Sequence, residues 1–319
     1  MKNVRNSLLT ILAVILLIST TSCNPPVATA VATLEPRATT LPTPIPAPTI
    51  QPGDLTRELE INGSKRTYQL HVRAGLDRDH PVPVVLVFHD YTYTVSQTRF
   101  QSHFDELADA NNFIAVYPVG IGTSWNAGDC CGIAAEDQVD ETAFVRQILS
   151  DLGTIVSIDP KRIYATGFSN GAMLSYRLAC EMSDTFAAVA PVEGPLVLSS
   201  CQPQQPVSII HVHGLNDPYV PYDGGAPSPD CGSGCPTTFP PVEKGIESWV
   251  QLDDCTGSPQ VVVDGAITHT TYTCPAGTAI ELYTLDGMEH AWPQPAGSGK
   301  LNFPATQTIW DFFAAHPKP

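Results

Sequence analysis

The stretch Gly167-Phe168-Ser169-Asn170-Gly171 constrains this chain more than any other. It fits the pattern G-x-S-x-G. It follows an apolar run, Arg162-Ile163-Tyr164-Ala165-Thr166, that reads as a buried strand. It precedes Ala172 to Ala179, apolar on nearly every side and so predicted to be a buried helix. Strand, tight turn and buried helix make the motif a candidate nucleophile elbow. The turn strains the serine backbone, and glycines flank it because side chains there would collide with strand and helix. Ser169 would then stand at the carboxyl end of a sheet, with the Asn170 amide aimed where an oxyanion forms. Such a serine requires an acid and a histidine elsewhere in the chain.

Both are available at matching positions. The run Val207 to Val212 reads as a strand and leads into His213-Gly214-Leu215-Asn216-Asp217-Pro218. Ala279 to Thr284 reads as another and leads into Asp286-Gly287-Met288-Glu289-His290. Asp217 and His290 therefore lie on loops leaving strands, at the edge expected for Ser169. Serine is a poor nucleophile at neutral pH, so His290 would take its proton and later pass it to the leaving group. Asp217 would fix the imidazole tautomer and stabilise the imidazolium. Asp223, Asp253 and Asp254 are competing acids. His211 and His213 precede the acid loop and fit no known order.

The remaining elements agree with one fold. Thr56 to Ile61 and Ser64 to Val72 alternate in pattern and are joined by Asn62-Gly63, a hairpin signal. Pro83 to Phe88 and Phe113 to Tyr117 are continuous apolar strands, and Phe186 to Val192 follows the elbow helix. A helix is predicted over Ser96 to Ala110 with Phe100, Phe104, Leu107 and Ala108 on its buried face. Asp140 would cap another, and Thr306 to Ala314 would close the chain. This order predicts an α/β fold with eight mostly parallel strands, an antiparallel first edge, and helices on both faces. Ser, Asp and His after strands five, seven and eight form the α/β-hydrolase arrangement.

Residues 1–22 read as an export signal, with Lys2 and Arg5 before the apolar run Leu8 to Ile18. Thr20-Thr21-Ser22-Cys23 partly matches a lipoprotein cleavage site, so Cys23 is a candidate for lipidation, with plain secretion as the rival. Residues 23–53, rich in Pro, Thr and Ala, read as an extended tether, and residues 54–319 as the catalytic domain. The net charge of −16 argues against nucleic acid, and leaves a lipid on Cys23 as the expected route to a membrane. Besides Cys23, eight cysteines remain, an even set suited to disulfides in an oxidising compartment. Cys255 with Cys274, and Cys180 with Cys201, are the expected pairs. Cys130, Cys131, Cys231 and Cys235 stay open among themselves. The spacing of Cys231 and Cys235 lacks a second ligand pair for zinc, so no metal or cofactor is expected.

Several segments together resemble the secreted polyhydroxybutyrate depolymerase and feruloyl esterase family. They are Tyr164 to Met173, His213-Gly214 with Asp217-Pro218 and Val220-Pro221-Tyr222, Gly287 with His290, Trp292 and Pro293, Ser124-Trp125-Asn126-Ala127-Gly128 with Cys130-Cys131-Gly132, and Phe186 to Val192. The resemblance implies hydrolysis of carboxylic esters outside the cell, on plant cell-wall esters or hydroxyacid polyesters, with Ser169, Asp217 and His290 as triad. An inactive binding protein that kept the fold is a further reading. Tyr91 and Asn170 are the expected oxyanion donors. His89, Trp125 and Trp292 are candidate substrate contacts, with Trp292 alternatively sealing the site. The chain departs from the family at His89-Asp90, where the family carries His-Gly. An active enzyme then requires the Asp90 carboxylate to turn away, and it is expected to hold the Tyr91–Thr94 turn instead.

Overall fold

In the computed structural model, residues 50–231, 234–275, 277–295 and 301–319 are described. The expected export signal, Cys23 and the tether up to residue 49 lie outside them. Ten strands and seven helices are described. The strands are β1 (Gly53–Ile61), β2 (Ser64–Val72), β3 (Val82–Phe88), β4 (Ile114–Pro118), β5 (Ile158–Phe168), β6 (Ala188–Val192), β7 (Ser208–Gly214), β8 (Thr256–Asp264), β9 (Ile267–Thr273) and β10 (Ala279–Leu285). The helices are α1 (Val95–Ser102), α2 (Phe104–Asn111), α3 (Gly132–Glu136), α4 (Glu141–Gly153), α5 (Asn170–Glu181), α6 (Val242–Leu252) and α7 (Ala305–Ala315).

One sheet runs in the order β1-β2-β4-β3-β5-β6-β7-β10-β9-β8. From β4 to β10 the neighbours are parallel. The hairpins β1–β2 and β8–β9 make both outer edges antiparallel. The expected count of eight strands is therefore corrected to ten. The added pair, β8 and β9, carries Val261, Val262 and Val263 at 56%, 62% and 67% exposure, so no face alternates with burial and the period-2 signal is missing. Its turn at Gly265 (φ 61°), between β-branched runs, was the legible signal. The Cys255–Cys274 disulfide closes this hairpin at its base.

Two apolar layers cover the sheet. On one face α4, α5 and α6 bring Phe144, Ile148, Met173, Leu174 and Trp249 against the strands. On the other, α2 and α7 bring Phe104, Leu107, Ile309 and Phe313. The single helix expected over Ser96 to Ala110 is instead two. His103, at φ 53°, ends α1 in the left-handed conformation and resets the helical phase. Phe104, Leu107 and Ala108 are buried as expected, whereas Phe100 is turned out and 80% exposed.

The register lines up the strand ends. Phe88 pairs with Gly167, Phe168 with Val192, Val192 with Val212, and Leu285 with Gly214. Residues following these positions share one edge of the sheet, which is how residues over a hundred positions apart can meet.

Asp253, directly after α6, is 2% exposed. Burial, with neither carboxyl oxygen hydrogen-bonded and with the charge of Asp254 reinforcing it, pushes its pKa up to about 7. In the unfolded chain such a carboxyl titrates near ~3.9. The folded value is the higher one, so its contribution to stability is fully present below the unfolded value and is lost as pH rises through about 7. Asp253→Asn is expected to melt above the parent protein at pH ~8.5, with the gap shrinking toward pH ~5. Melting curves across that range check this; a gap independent of pH would contradict it.

Candidate active site

β5 ends at Phe168 and α5 begins at Asn170, leaving Ser169 alone in the turn with φ 55° and ψ −115°. A Cβ on Gly171 would lie 2.3 Å from the Phe88 carbonyl oxygen, and one on Gly167 would lie 2.5 Å from the Gly171 backbone. Only glycine permits this approach of helix to strand. The Ser169 N–H donates to the Val192 carbonyl at 2.9 Å, pinning the turn to β6.

Asp217 lies beyond β7, with its carboxyl buried. Its Oδ1 accepts from the N–H groups of Tyr219 (2.8 Å) and Val220 (2.9 Å), and its Oδ2 is 2.5 Å from His290 Nδ1. Burial works to raise the Asp217 pKa, but the bond and charge of His290 and the Val220 N–H bring it below the ordinary value. His290 follows β10, its ring packed between Phe168 (4.6 Å between centroids) and Tyr219 (5.5 Å). With Nδ1 committed to Asp217, Nε2 is the nitrogen left for the cavity of about 350 Å³ that His290 shares with Ser169. The structure thus brings Ser169, Asp217 and His290 to one site.

Tyr91 and Asn170 are also brought together, around an unexpected guest. The Tyr91 N–H donates to Asp90 Oδ1 at 2.5 Å, and the Asn170 N–H and Ser169 hydroxyl bond the same carboxyl. Its Oδ2 lies 3.9 Å from His290 Nε2. The expectation that Asp90 turns away is therefore corrected: its carboxyl sits where an oxyanion would. The turn that follows is held instead by the Asp90 carbonyl, which accepts from the Tyr93 N–H at 3.1 Å. The physical reason is supply of donors. Two backbone N–H groups and a hydroxyl converge there, and a carboxylate with no closer cation takes them. Burial raises the Asp90 pKa; His290, Ser169 and the two amides work against that rise without overcoming it.

The expected substrate contacts fare differently. Trp125 is fully buried, its Nε1–H donating to the His89 carbonyl at 2.8 Å, and its backbone clasped by the Asn170 side chain at 2.8 and 3.1 Å. Trp125 braces the elbow and does not face the cavity. His89 is buried too, and burial lowers its pKa to about 4, so it is neutral. The Gly120 N–H donates to its Nε2 at 2.9 Å, which leaves Nδ1–H to donate to the Asp90 carbonyl at 2.7 Å. His89 thus holds the Asp90 loop and lines neither cavity beside His290. Trp292 is 4% exposed and donates to Thr306 Oγ1 at 3.0 Å, yet it lines a second cavity beside His290.

The cysteines are bonded Cys180–Cys201, Cys255–Cys274, Cys130–Cys131 and Cys231–Cys235. The last two answer the pairing left open by the sequence. Cys131, Cys231 and Cys235 line the Ser169 cavity with Tyr219, Met173 and Phe239, none of which the sequence marked as site residues. Tyr219 was the findable one, lying between Asp217 and Val220 in a motif already singled out. Glu193, His213 and Asp217 offer ligand atoms within 4.8 Å of one another, the buried grouping nearest to a metal site among the described residues. Asp217 is already engaged by His290 and His213 Nε2 by the Val220 carbonyl at 2.8 Å, so two of the three are committed to groups outside the set.

Known proteins share this plan. Residues 133–230 match the family described as Phospholipase/Carboxylesterase. Feruloyl esterase B of Piromyces equi is 29% identical over 75% of this chain and 43% of its own length. The bifunctional acetylxylan esterase/xylanase XynS20E of Neocallimastix patriciarum is 30% identical over 79% of this chain and 34% of its own. The chain thus spans less than half the length of either relative. The solved acetyl xylan esterase from Aspergillus awamori has a TM-score of 0.54 at 14% identity, covering 82% of this chain and 99% of that one. The chain has the α/β-hydrolase fold and is similar in sequence to feruloyl and acetylxylan esterases.

In an α/β-hydrolase the two amides now bonded to Asp90 are the groups that would receive negative charge from a tetrahedral intermediate. A resident carboxyl competes for them and repels the charge they should stabilise. Replacing Asp90 by alanine, which keeps the loop stiffer than glycine would, is expected to raise kcat on an aryl ester by about 10²–10³, the scale of one oxyanion donor. Steady-state kinetics of Asp90→Ala tests this. An unchanged or lowered kcat would mean that Asp90 does not obstruct the reaction.

Proposed function

We propose that this chain is an extracellular serine esterase that hydrolyses carboxylic esters, feruloyl or related esters of plant cell-wall polysaccharide foremost, through an acyl-enzyme on Ser169. The observation that carries the reading is the His290–Asp217 bond of 2.5 Å, with Ser169 at the elbow of the same cavity. Ser169 Oγ attacks the acyl carbon while His290 Nε2 takes its proton, and Asp217 steadies the imidazolium. The carbonyl oxygen becomes an oxyanion at the Tyr91 and Asn170 amides once the Asp90 carboxyl withdraws. Collapse expels the alcohol, which receives the proton from His290. Water then repeats the sequence on the acyl-enzyme, releasing the acid and restoring Ser169.

Two cavities flank His290, which suits a substrate with two bulky halves. The first, with Ser169, Met173 and Phe239, would take the acyl group. The second, of about 510 Å³, has Phe100, Phe168 and Trp292 beside Gln101 and Gln294. It too borders His290, which would hand its proton to the leaving alcohol. The exposed Phe100 ring and the edges of the largely buried Phe168 and Trp292, with amides beside them, suit a sugar ring, which supports wall esters, as do the names of the fungal relatives. The extracellular placement rests on the expected signal and on the disulfides; a lipid on Cys23 would keep the enzyme at the outer surface.

One observation favours a second reading. Asp90 fills the place of the oxyanion, as would befit an inactive protein that binds without hydrolysing. Turnover decides between them. Ferulate release from methyl ferulate, acetate release from acetylated xylan and oligomer release from polyhydroxybutyrate should be measured side by side. Ferulate or acetate is expected, with Ser169→Ala lowering kcat by about four orders of magnitude or more, and with a phosphonate probe labelling Ser169. Release of hydroxybutyrate alone would replace the substrate class, and no turnover with no label would leave the binder.

A further inference from the structure

Behind the triad lies a second carboxyl that the mechanism does not use. Glu193 follows β6 directly, one position beyond Val192, and is fully buried. Its backbone sits at φ 55°, a conformation that side chains other than glycine's adopt at a cost of roughly 1–3 kcal/mol. The surroundings over-determine it: the Glu193 N–H donates to the Val212 carbonyl at 2.9 Å, and Oε1 accepts from the Gly214 N–H at 2.9 Å. The other oxygen, Oε2, is turned toward the acid of the triad. It is 3.4 Å from His213 Nε2 and has no hydrogen-bond partner of its own, and a Glu193 carboxyl oxygen lies within 4.8 Å of one of Asp217.

Two carboxyl groups this close inside a protein cannot both be ionised without a cation between them. His213 does not supply one. Its Nε2–H donates to the Val220 carbonyl at 2.8 Å, so its Nδ1 is an acceptor, taking a hydrogen from His211 Nε2 at 3.0 Å. His211 Nδ1 in turn accepts from the Tyr176 hydroxyl at 2.9 Å. Burial lowers the pKa of both imidazoles, and these are the bonds that two neutral rings make. The remaining proton must sit on one of the two acids, and the donors choose between them. Asp217 receives three N–H groups, from Tyr219, Val220 and His290, whereas Glu193 receives one. The better-solvated carboxylate is Asp217, and the proton belongs on Glu193 Oε2.

We infer that Glu193 is a positioning residue of the triad: a neutral carboxylic acid whose Oε2–H donates to Asp217 and holds that carboxylate in place as the acceptor of His290. The electrostatics run the same way. Burial first, and then the charge of Asp217, push the Glu193 carboxyl well above the usual carboxylate range, while Asp217 is held below it. Burial likewise lowers the pKa of His213 to about 4. Through Asp217, Glu193 also tempers the pull on His290, since a donor to the carboxylate spreads its charge.

The inference rests on the esterase reading for its kinetic test, and on the fold alone for a spectroscopic one. Infrared difference spectra of parent protein against Glu193→Gln are expected to show the loss of a neutral carboxylic-acid band near neutral pH. Its absence would overturn the assignment whether or not the protein turns over esters. In kinetics, Glu193→Ala is expected to lower kcat by about tenfold to a hundredfold with little change in KM, the worth of one hydrogen bond to a charged group. The acidic limb of its pH profile should move upward as Asp217 pulls harder on His290. Glu193→Gln, which keeps a donor, is expected to recover most of the rate and the parental limb. A downward shift of that limb in the glutamine variant would mean that a negative charge had been removed and that Glu193 was ionised. Loss of melting temperature in both variants with kcat intact would reduce Glu193 to a packing residue.

Discussion

The approach of α5 to the end of β3 is the contact on which the site depends. Gly171 lies so close to the Phe88 and His89 carbonyls that a methyl group would stand 2.3 and 2.7 Å from them. This packing presses the chain leaving β3 against the serine turn, so the Tyr91 amide and the Asn170 amide face a common point. It also buries Trp125 beneath the turn, where its indole ties to the His89 carbonyl and its backbone to the Asn170 side chain. A larger residue at position 171 would therefore disturb Ser169, the Tyr91 and Asn170 amides and the supporting Trp125 together. The strain at Ser169 is sustained by this surrounding lattice of bonds.

The edge of the sheet gathers acids around one imidazole. Asp217 bonds His290 on one side, Asp90 approaches its other nitrogen at 3.9 Å, and Glu193 stands behind Asp217. The chain as a whole carries a charge of −16, but these three matter because they are buried, where any charge goes unscreened by water. Each solves the problem differently. Asp217 remains charged by collecting N–H donors, Glu193 keeps its proton, and Asp90 borrows the donors of the oxyanion hole. The difference follows from how many amides each local loop turns inward.

That distinction explains what could be read from the sequence. Ser169, Asp217 and His290 were legible because each follows an apolar strand, and a parallel sheet delivers such positions to one edge regardless of their separation. The elbow was legible through its glycines. The orientation of Asp90 was not, since it depends on competition for donors brought in by Asn170, 80 residues further along the chain. Trp125 and His89 read as substrate contacts because aromatic residues near a motif suit a pocket as well as a core. Their burial depends on partners from other segments, Asn170 and Gly120. The β8–β9 hairpin escaped because a strand exposed on both faces carries no burial alternation to read.

The position of Asp90 also ties the two halves of the reaction together. When His290 accepts the serine proton it becomes a cation with Asp217 on one nitrogen and Asp90 near the other. A carboxylate leaving the oxyanion hole then has a partner a short distance away, and moving toward Nε2 would exchange two amide donors for a charged one. The same movement, however, places Asp90 on the nitrogen that must pass its proton to the leaving alcohol. A carboxylate that settles there frees the hole and obstructs the proton transfer; one that stays in the hole does the reverse. Under the proposed mechanism, productive chemistry would require the substrate itself to hold Asp90 clear of both, so that binding energy from the acyl and alcohol halves goes into displacing it. A short ester lacking those halves would feel the obstruction most, and the natural substrate least. In the proposed esterase, Asp90 would then act as a filter on substrate size, and small aryl esters would be turned over slowest.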